Sequence, residues 1–345
     1  MAYRAAVVGA SGYTGAELLR LVAGHPEIEV AHVTADSNAG AAVSGLYPSL
    51  AAAYPTLEYA PFDAADVAGV DVAFLALPHG ESQRVVPDLA DRVGHIVDLG
   101  ADFRLPAPEY EEWYGEAHRA PELLDRFAFG LPELFRDDLA AAQHAAAPGC
   151  YPTAAVLALA PLLADGMVDP AGLVVDAVSG VSGRGRGLST PSLFSEANEN
   201  VSPYGLLTHR HTGEMEMALG RVAQTSVRVL FTPHLVPMTR GALATCHGRA
   251  ATDGLSTSKL LARYREQYAG EPFVQVLDDP PTTKATLGSN AAHVTVRYDE
   301  RTGTVLALAA LDNLVKGASG QMVQCANILL GLPESTGLSA VGLTP

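Results

Sequence analysis

Ala5-Ala-Val-Val8, Gly9-Ala-Ser-Gly-Tyr-Thr-Gly15, Ala16-Glu-Leu-Leu-Arg-Leu-Val-Ala23: an apolar run, a glycine turn and a helix-forming run follow one another without a gap near the start of the chain. The first run fits a short buried strand, and the apolar residues of the last fit a helix lying on a sheet. A second strand is expected at 29–34, after His25-Pro26, so residues 5–36 have the length of one βαβ unit. Glycines lack a Cβ, so such a turn lets backbone approach a pyrophosphate and present helix N–H groups to it. The GxxGxxG spacing is weak by itself; its place between strand and helix favours a dinucleotide site over a mere packing turn. Gly9, Ser11, Gly12, Tyr13, Thr14 and Gly15 are the expected cofactor contacts of a Rossmann-type domain.

Further apolar runs at 70–77 and 95–99 read as strands of the same sheet. They place Leu77-Pro-His-Gly80 and Asp98-Leu-Gly-Ala-Asp-Phe-Arg104 at strand carboxyl ends, the edge where open α/β sheets bind ligands. Pro78 joins the expected cofactor contacts, and Arg104 is a candidate anion contact. Residues 105–121, with the single tryptophan Trp113, read as a surface excursion. After residue 150 the pattern changes. Strand-like runs at 173–178, 226–232, 243–248, 292–298 and 304–311 alternate with fewer helices, which predicts an α+β domain with a mainly antiparallel sheet. Helices are expected near 212–223, 257–268 and 320–330, the last able to pack back on the first domain.

Bulk properties limit the chemistry. With 345 residues, 48% hydrophobic and 17% charged, the chain suits two packed domains. A formal charge of -16 argues against a nucleic-acid backbone or an anionic membrane as partner. The three cysteines, Cys150, Cys246 and Cys325, lack paired spacing, so neither a disulfide framework nor a zinc site is suggested, which fits a reducing cytoplasm. Neither a secretory signal nor an apolar run of roughly 20 residues is read.

Cys150, in Ala147-Pro-Gly-Cys-Tyr-Pro-Thr153, sits at the mouth of a helix expected over 152–163. The positive end of a helix and its unpaired N–H groups favour thiolate over thiol, making Cys150 a candidate nucleophile; the alternative is a small buried apolar residue. His209-Arg-His211 precedes another expected helix, and an imidazole beside a thiolate can hold or deliver the proton as charge moves. The rival reading of the two histidines, a metal site, lacks further ligands at sensible spacing, and no metal is expected. Ser179-Gly-Val-Ser-Gly-Arg-Gly-Arg-Gly187 follows a strand and suits either close approach to a ligand or a flexible connection; Arg240 next to Gly241 adds a second candidate anion contact. A nicotinamide site, a soft nucleophile, a histidine and arginines suit reduction at the acyl-phosphate level, because a thioester accepts hydride where a carboxylate does not.

Nine segments carry a specific resemblance almost end to end: Gly9–Gly15, Leu77–Gly80, Asp98–Arg104, Gly130-Leu-Pro-Glu133, Pro148–Thr153, Ser179–Gly183, His209–His211, Pro233-His-Leu-Val-Pro237 and Asp312-Asn-Leu-Val-Lys-Gly-Ala-Ser-Gly-Gln321. The sequence resembles the N-acetyl-gamma-glutamyl-phosphate reductase family of arginine biosynthesis. That resemblance implies an NADP-binding domain from residues 1–149 plus 313–345, and a catalytic and oligomerisation domain at 150–312. It implies Cys150 as nucleophile, His209 as first choice and His211 as second choice for acid/base. It also places Ser182, Gly183, Asn313 and Gly317 near the cofactor, and implies an acyl-phosphate substrate and a homo-oligomer, dimer or tetramer.

Two departures stand out. The family commonly has Ser-Arg-Ser after the second strand, where this chain reads Ala35-Asp36-Ser37. An acidic residue there suits the free ribose of NAD, whereas Ser37, with Thr34 and Asn38, can still donate to the phosphate of NADP, so both cofactors stay open and NADP is kept first. Arg184 stands where a smaller residue is commoner, adding positive charge beside cofactor or substrate. The rivals are an aspartate-semialdehyde dehydrogenase, with the same chemistry on a shorter substrate; a cysteine hydrolase or acyltransferase, which would need no dinucleotide; and a non-catalytic dinucleotide sensor, which would not need the thiol, histidine and arginine set.

Overall fold

The computed structural model describes residues 2–343, which fall into two compact units. The first comprises the chain up to Pro148 together with Ala318–Leu338, and the second Gly149–Gly317 with the tail from Ser339.

The first unit is built on a six-stranded sheet in the order β2-β1-β3-β4-β6-β5, with β1 Tyr3–Val8, β2 Ile28–Thr34, β3 Val72–Leu75, β4 His95–Asp98, β5 Phe127–Phe129 and β6 His144–Ala146. Every pairing is parallel. Its helices are α1 Tyr13–Ala23, α2 Val43–Leu46, α3 Ser82–Leu89, α4 Ala107–Tyr114, α5 Pro132–Ala141 and the C-terminal helix, numbered α10, Gly320–Leu329. Ala73, Phe74 and Leu75 of β3 are fully buried, as a strand covered on both faces must be. Residues 105–121, read from the sequence as a surface excursion, contain the helix α4. Pro106 caps α4, Glu109 occupies its first turn and Gly115, in the left-handed region at φ 73°, ends it, while Tyr110 is buried beneath.

The second unit holds a seven-stranded sheet in the order β11-β12-β13-β10-β7-β9-β8. The strands are β7 Leu173–Gly180, β8 Ser202–Pro203, β9 Val229–Val236, β10 Ala242–Arg249, β11 Val274–Val276, β12 Ala292–Asp299 and β13 Thr304–Leu311. Only β7 with β9 and β11 with β12 pair in parallel, so the sheet is mainly antiparallel. The helices are α6 Cys150–Ala164, α7 Phe194–Ala197, α8 His211–Ala223 and α9 Thr257–Gln267. Every residue of α6 from Tyr151 to Leu163 is buried, so this helix is apolar all round. Pro161 has no N–H for the carbonyl of Leu157, and the Tyr268 hydroxyl donates to that oxygen at 2.5 Å; Tyr264 does the same for Ala158.

The boundary expected at Asn313 falls at Ala318, because Asn313 donates through Nδ2 to Ser182 Oγ at 3.0 Å and accepts from the Gly241 N–H at 2.7 Å. The tail likewise stays with the second unit: Asn290 N–H donates to the Ser339 carbonyl, and Leu343 N–H to that of Leu287, both at 2.7 Å.

Candidate active site

In the first unit the carboxyl ends of β1, β2 and β3 open on a cavity of about 340 Å³ lined by Gly9, Thr34, Ala35, Asp36, Phe62, Leu77, Pro78 and Glu81 among others. β1 lies between β2 and β3, so this is the switch point of the sheet, where α/β folds bind nucleotides. The glycine turn fits a pyrophosphate for stated reasons. At φ 81° a Cβ on Gly9 would lie 2.6 Å from the Ala76 carbonyl oxygen, and one on Gly15 would lie 2.5 Å from Ala10. Gly12 caps α1 without any side-chain hydrogen bond, leaving the first turn of the helix to a ligand. Tyr13 is partly exposed there, and the Thr14 carbonyl accepts from Ser319 Oγ at 2.8 Å. The Asn38 amide donates to both Ser11 Oγ and Ser37 Oγ at 3.1 Å, tying the glycine turn to the segment after β2. Two carboxylates, Asp36 and Glu81, and no Lys or Arg are among the cavity's lining residues.

Beyond β3 and β4 the turns carry charged groups. His79 Nδ1 lies 3.1 Å from Asp102 Oδ1, and its ring lies tilted against that of Tyr114 with centroids 4.4 Å apart. Asp102 also accepts from the N–H groups of Gly80 and Gln83 at the start of α3. Arg104 is buried, its Nη2 donating to the Leu99 carbonyl at 2.6 Å. Asp98 accepts from Ser82 Oγ at 2.7 Å and the Gly100 N–H at 2.8 Å; complete burial, opposed by these bonds, pushes its carboxyl up to about 7.

In the second unit Cys150 is the first residue of α6, with Gly149 at the cap and no side-chain cap. Cys150 is partly exposed, whereas Cys246 and Cys325 are buried. Burial pushes the Cys246 thiol well up, so it stays protonated. A Cβ on Gly149 would collide with His211 Nε2, and one on Gly317 would lie 2.6 Å from the Cβ of Cys150. Both glycines are thus places where the chain closes in on the thiol. The Gly149 N–H donates to Glu214 Oε2 at 3.0 Å, and Glu214 Oε1 lies 3.9 Å from His211 Nε2. Glu214 is fully buried, three residues along α8 from His211. A thiol, an imidazole and a carboxylate are thus gathered where α6 and α8 begin.

His209, the first choice from sequence, lies one layer behind. Its Nδ1 accepts the His211 N–H at 3.2 Å, and its ring packs 5.3 Å from Phe231, 5.4 Å from Tyr204 and 4.7 Å from His211. Burial, helped by His211, pushes its value down to about 3, so it is neutral at neutral pH. The Tyr204 hydroxyl donates to that of Tyr151 at 3.3 Å, which in turn donates to the His234 carbonyl at 3.1 Å. Gly183 packs beside Ser179 and Asn313, and Arg240 lies 3.6 Å from Asp312. Ser182, Gly183, Asn313 and Gly317 therefore belong to the unit that carries Cys150. Among the described residues no group of three or more potential metal ligands occurs, and no helix is long and apolar enough to cross a membrane.

Sequence reasoning did not single out Glu214, Tyr204, Tyr151 or Asp102. For Glu214 a signal existed, since positions three apart on a helix share a face, and His211 opens that helix.

A dinucleotide-binding sheet joined to a cysteine-headed helix defines a class, and both halves match it. Residues 4–142 match the semialdehyde dehydrogenase NAD binding domain, and 150–313 the semialdehyde dehydrogenase dimerisation domain. Similar in architecture are aspartate semialdehyde dehydrogenase II of Vibrio cholerae complexed with ASA (TM-score 0.72, 17% identity, 96% of this chain and 99% of that one) and the Candida albicans enzyme with NADP (0.71, 16%, 95% and 98%). At that identity the likeness speaks for fold alone. Far nearer in sequence are the N-acetyl-gamma-glutamyl-phosphate reductases of Moorella thermoacetica, 46% identical over 99% of both chains, and of Thermus thermophilus, 48% identical over 98% of this chain and 99% of that one. Within the semialdehyde dehydrogenases, the chain belongs to the N-acetyl-gamma-glutamyl-phosphate reductase family.

Proposed function

We propose that this protein catalyses the reductive dephosphorylation of N-acetyl-gamma-glutamyl phosphate to N-acetylglutamate 5-semialdehyde, a step of arginine biosynthesis, with NADPH as reductant and a thioester on Cys150. The observation that carries it is Cys150 at an uncapped helix start, with His211 and Glu214 gathered around Gly149. The helix end favours the thiolate. Its sulfur attacks the γ-carbonyl, the bond to the phosphate oxygen breaks, and phosphate leaves. When bound, the reduced nicotinamide supplies hydride, which an acyl thioester accepts. The resulting oxyanion is protonated by His211, which takes the same proton back as the carbonyl re-forms, the C–S bond breaks and the electron pair returns to sulfur. We assign the acid/base role to His211 because its Nε2 faces Gly149, whereas His209 spends Nδ1 on a backbone N–H. Glu214 orients His211.

Gly9, Ser11, Gly12, Tyr13, Thr14, Gly15 and Pro78 would hold the dinucleotide. Arg104 and Arg240 remain the proposed anion contacts. A homo-oligomer is supported by the dimerisation-domain match and by exposed Leu188, Phe194 and Leu207 in the second unit. A cytoplasmic setting fits three cysteines without the paired spacing of a disulfide framework. The test is reduction of NADP+ by the purified protein given N-acetylglutamate 5-semialdehyde, with and without phosphate. Turnover that requires phosphate is expected. Turnover without phosphate would point to a hydrolytic dehydrogenase, and activity confined to aspartate semialdehyde would move the reading to that relative.

A further inference from the structure

Arg184 lies in the short 3-10 turn 181–184 that leaves β7, and its side chain is accounted for by nothing in the reaction above. Its guanidinium carbon stands 5.6 Å from the centroid of the Tyr204 ring. From Tyr204 two routes lead to the nucleophile. One runs through the hydroxyl of Tyr151, the residue after Cys150, at 3.3 Å. The other runs through the rings of His209 at 5.4 Å and His211 at a further 4.7 Å. Tyr204 also stands in the field of both groups. Burial pushes its hydroxyl up to about 12, with Cys150 adding to the rise and Arg184 opposing it. Arg184 itself is exposed, on a turn whose base is fixed by Ser182 and Asn313.

A guanidinium lying on an aromatic face has its plane held while its edge N–H donors stay open to a planar oxyanion. We propose that Arg184 is a substrate-binding residue that, seated on Tyr204, holds an oxyanion of the acyl substrate at the Cys150 site. The oxyanion is either the carboxylate of the glutamyl backbone or the phosphate. This rests on the acyl-phosphate reading above, deepening it by one specificity-determining residue.

The test uses alkylation of Cys150 by iodoacetamide, read on its own peptide, since Cys246 and Cys325 are fully buried. N-Acetylglutamate and inorganic phosphate serve separately as protecting probes for the wild type, Arg184→Gln and Arg184→Lys. In Arg184→Gln the half-protecting concentration of one probe is expected to rise about tenfold, with only a minor part of the loss recovered by Arg184→Lys, which restores the charge without the planar fork. The probe affected identifies the oxyanion. In the phosphate-dependent assay the corresponding KM should rise with kcat nearly unchanged. Unchanged protection by both probes, no protection of the wild type by either, or a fall in kcat at constant KM would overturn the proposal. Should phosphate-dependent turnover stand while protection is insensitive to Arg184, the inference fails and the function does not; should protection shift without turnover on the semialdehyde, the reverse holds.

Discussion

Two helices in this molecule begin in nearly the same way and in different surroundings. Gly12 opens α1 at φ -76°, ψ 171°, and Gly149 opens α6 at φ -69°, ψ 161°, neither with a side-chain cap. Each leaves the positive end of a helix for something else to neutralise. At α1 the surroundings are open: a Cβ on Gly12 would find only the Gly9 carbonyl, 3.9 Å away. At α6 they are closed, because Tyr151–Leu163 is buried on all sides and His211 lies against Gly149. An open helix start suits a mobile anion that arrives with its own charge. A closed one suits a fixed thiolate that must keep one geometry with its proton partner. The physical device is shared, and packing decides which use it has.

The sharpest way to break the comparison is at the proton partner. His211→Gln should lower kcat/KM by roughly 10²- to 10⁴-fold, the range of a lost general acid/base, while His209→Gln should cost less than about tenfold. Since His209 is held down near 3, its replacement should also leave the acid limb of the kcat/KM profile in place above pH 5, as a group already neutral cannot generate it. Equal losses in both variants would undo the assignment of roles.

The glycines themselves come next. Gly149→Ala drives a methyl into the His211 ring and should cost about a hundredfold in turnover, the scale of a displaced catalytic group, with cofactor binding intact. Gly12→Ala meets open space, so thermal unfolding should stay unchanged while NADPH affinity, followed by nucleotide fluorescence, falls about tenfold. A melting-temperature loss in Gly12→Ala, or unaffected turnover in Gly149→Ala, would erase the contrast between open and closed ends.

The smallest effect is expected beside α1. Asp36 and Glu81 line the cavity, and a carboxylate repels the 2′-phosphate of NADP while suiting a free ribose. Asp36→Ser should therefore improve the ratio of NADPH to NADH affinity by about tenfold in direct titrations. An unchanged ratio would mean that Asp36 points away from the ribose.

Much of this was legible because strong local rules coincided. The strand, glycine turn and helix of residues 5–23 satisfy periodicity and turn chemistry together, and the parallel sheet follows from them. Cys150 was legible for the same reason, a helix start announced by Pro148, Gly149 and Pro152. What stayed hidden depended on distance in the chain. The sequence puts His209 ahead of His211; what supports the opposite order, the approach of His211 Nε2 to Gly149 where α8 packs on α6, arises only in the fold. Strands of three residues such as Phe127–Phe129 are too short to show a period. α4 was obscured by its prolines and charges, although Pro106, Glu109 and Gly115 spell out its limits. Glu214 has nothing unusual in its surroundings until the fold brings the Gly149 N–H to it.

The central claim is that Cys150 forms a thioester before any hydride moves. Rapid mixing of the protein with N-acetyl-gamma-glutamyl phosphate in the absence of NADPH, with released phosphate followed in time, tests it directly. A burst of one phosphate per subunit, accompanied by an acyl adduct on the Cys150 peptide and abolished in Cys150→Ala, is the predicted result. Phosphate released only after NADPH is added, or a burst that survives in Cys150→Ala, would contradict it.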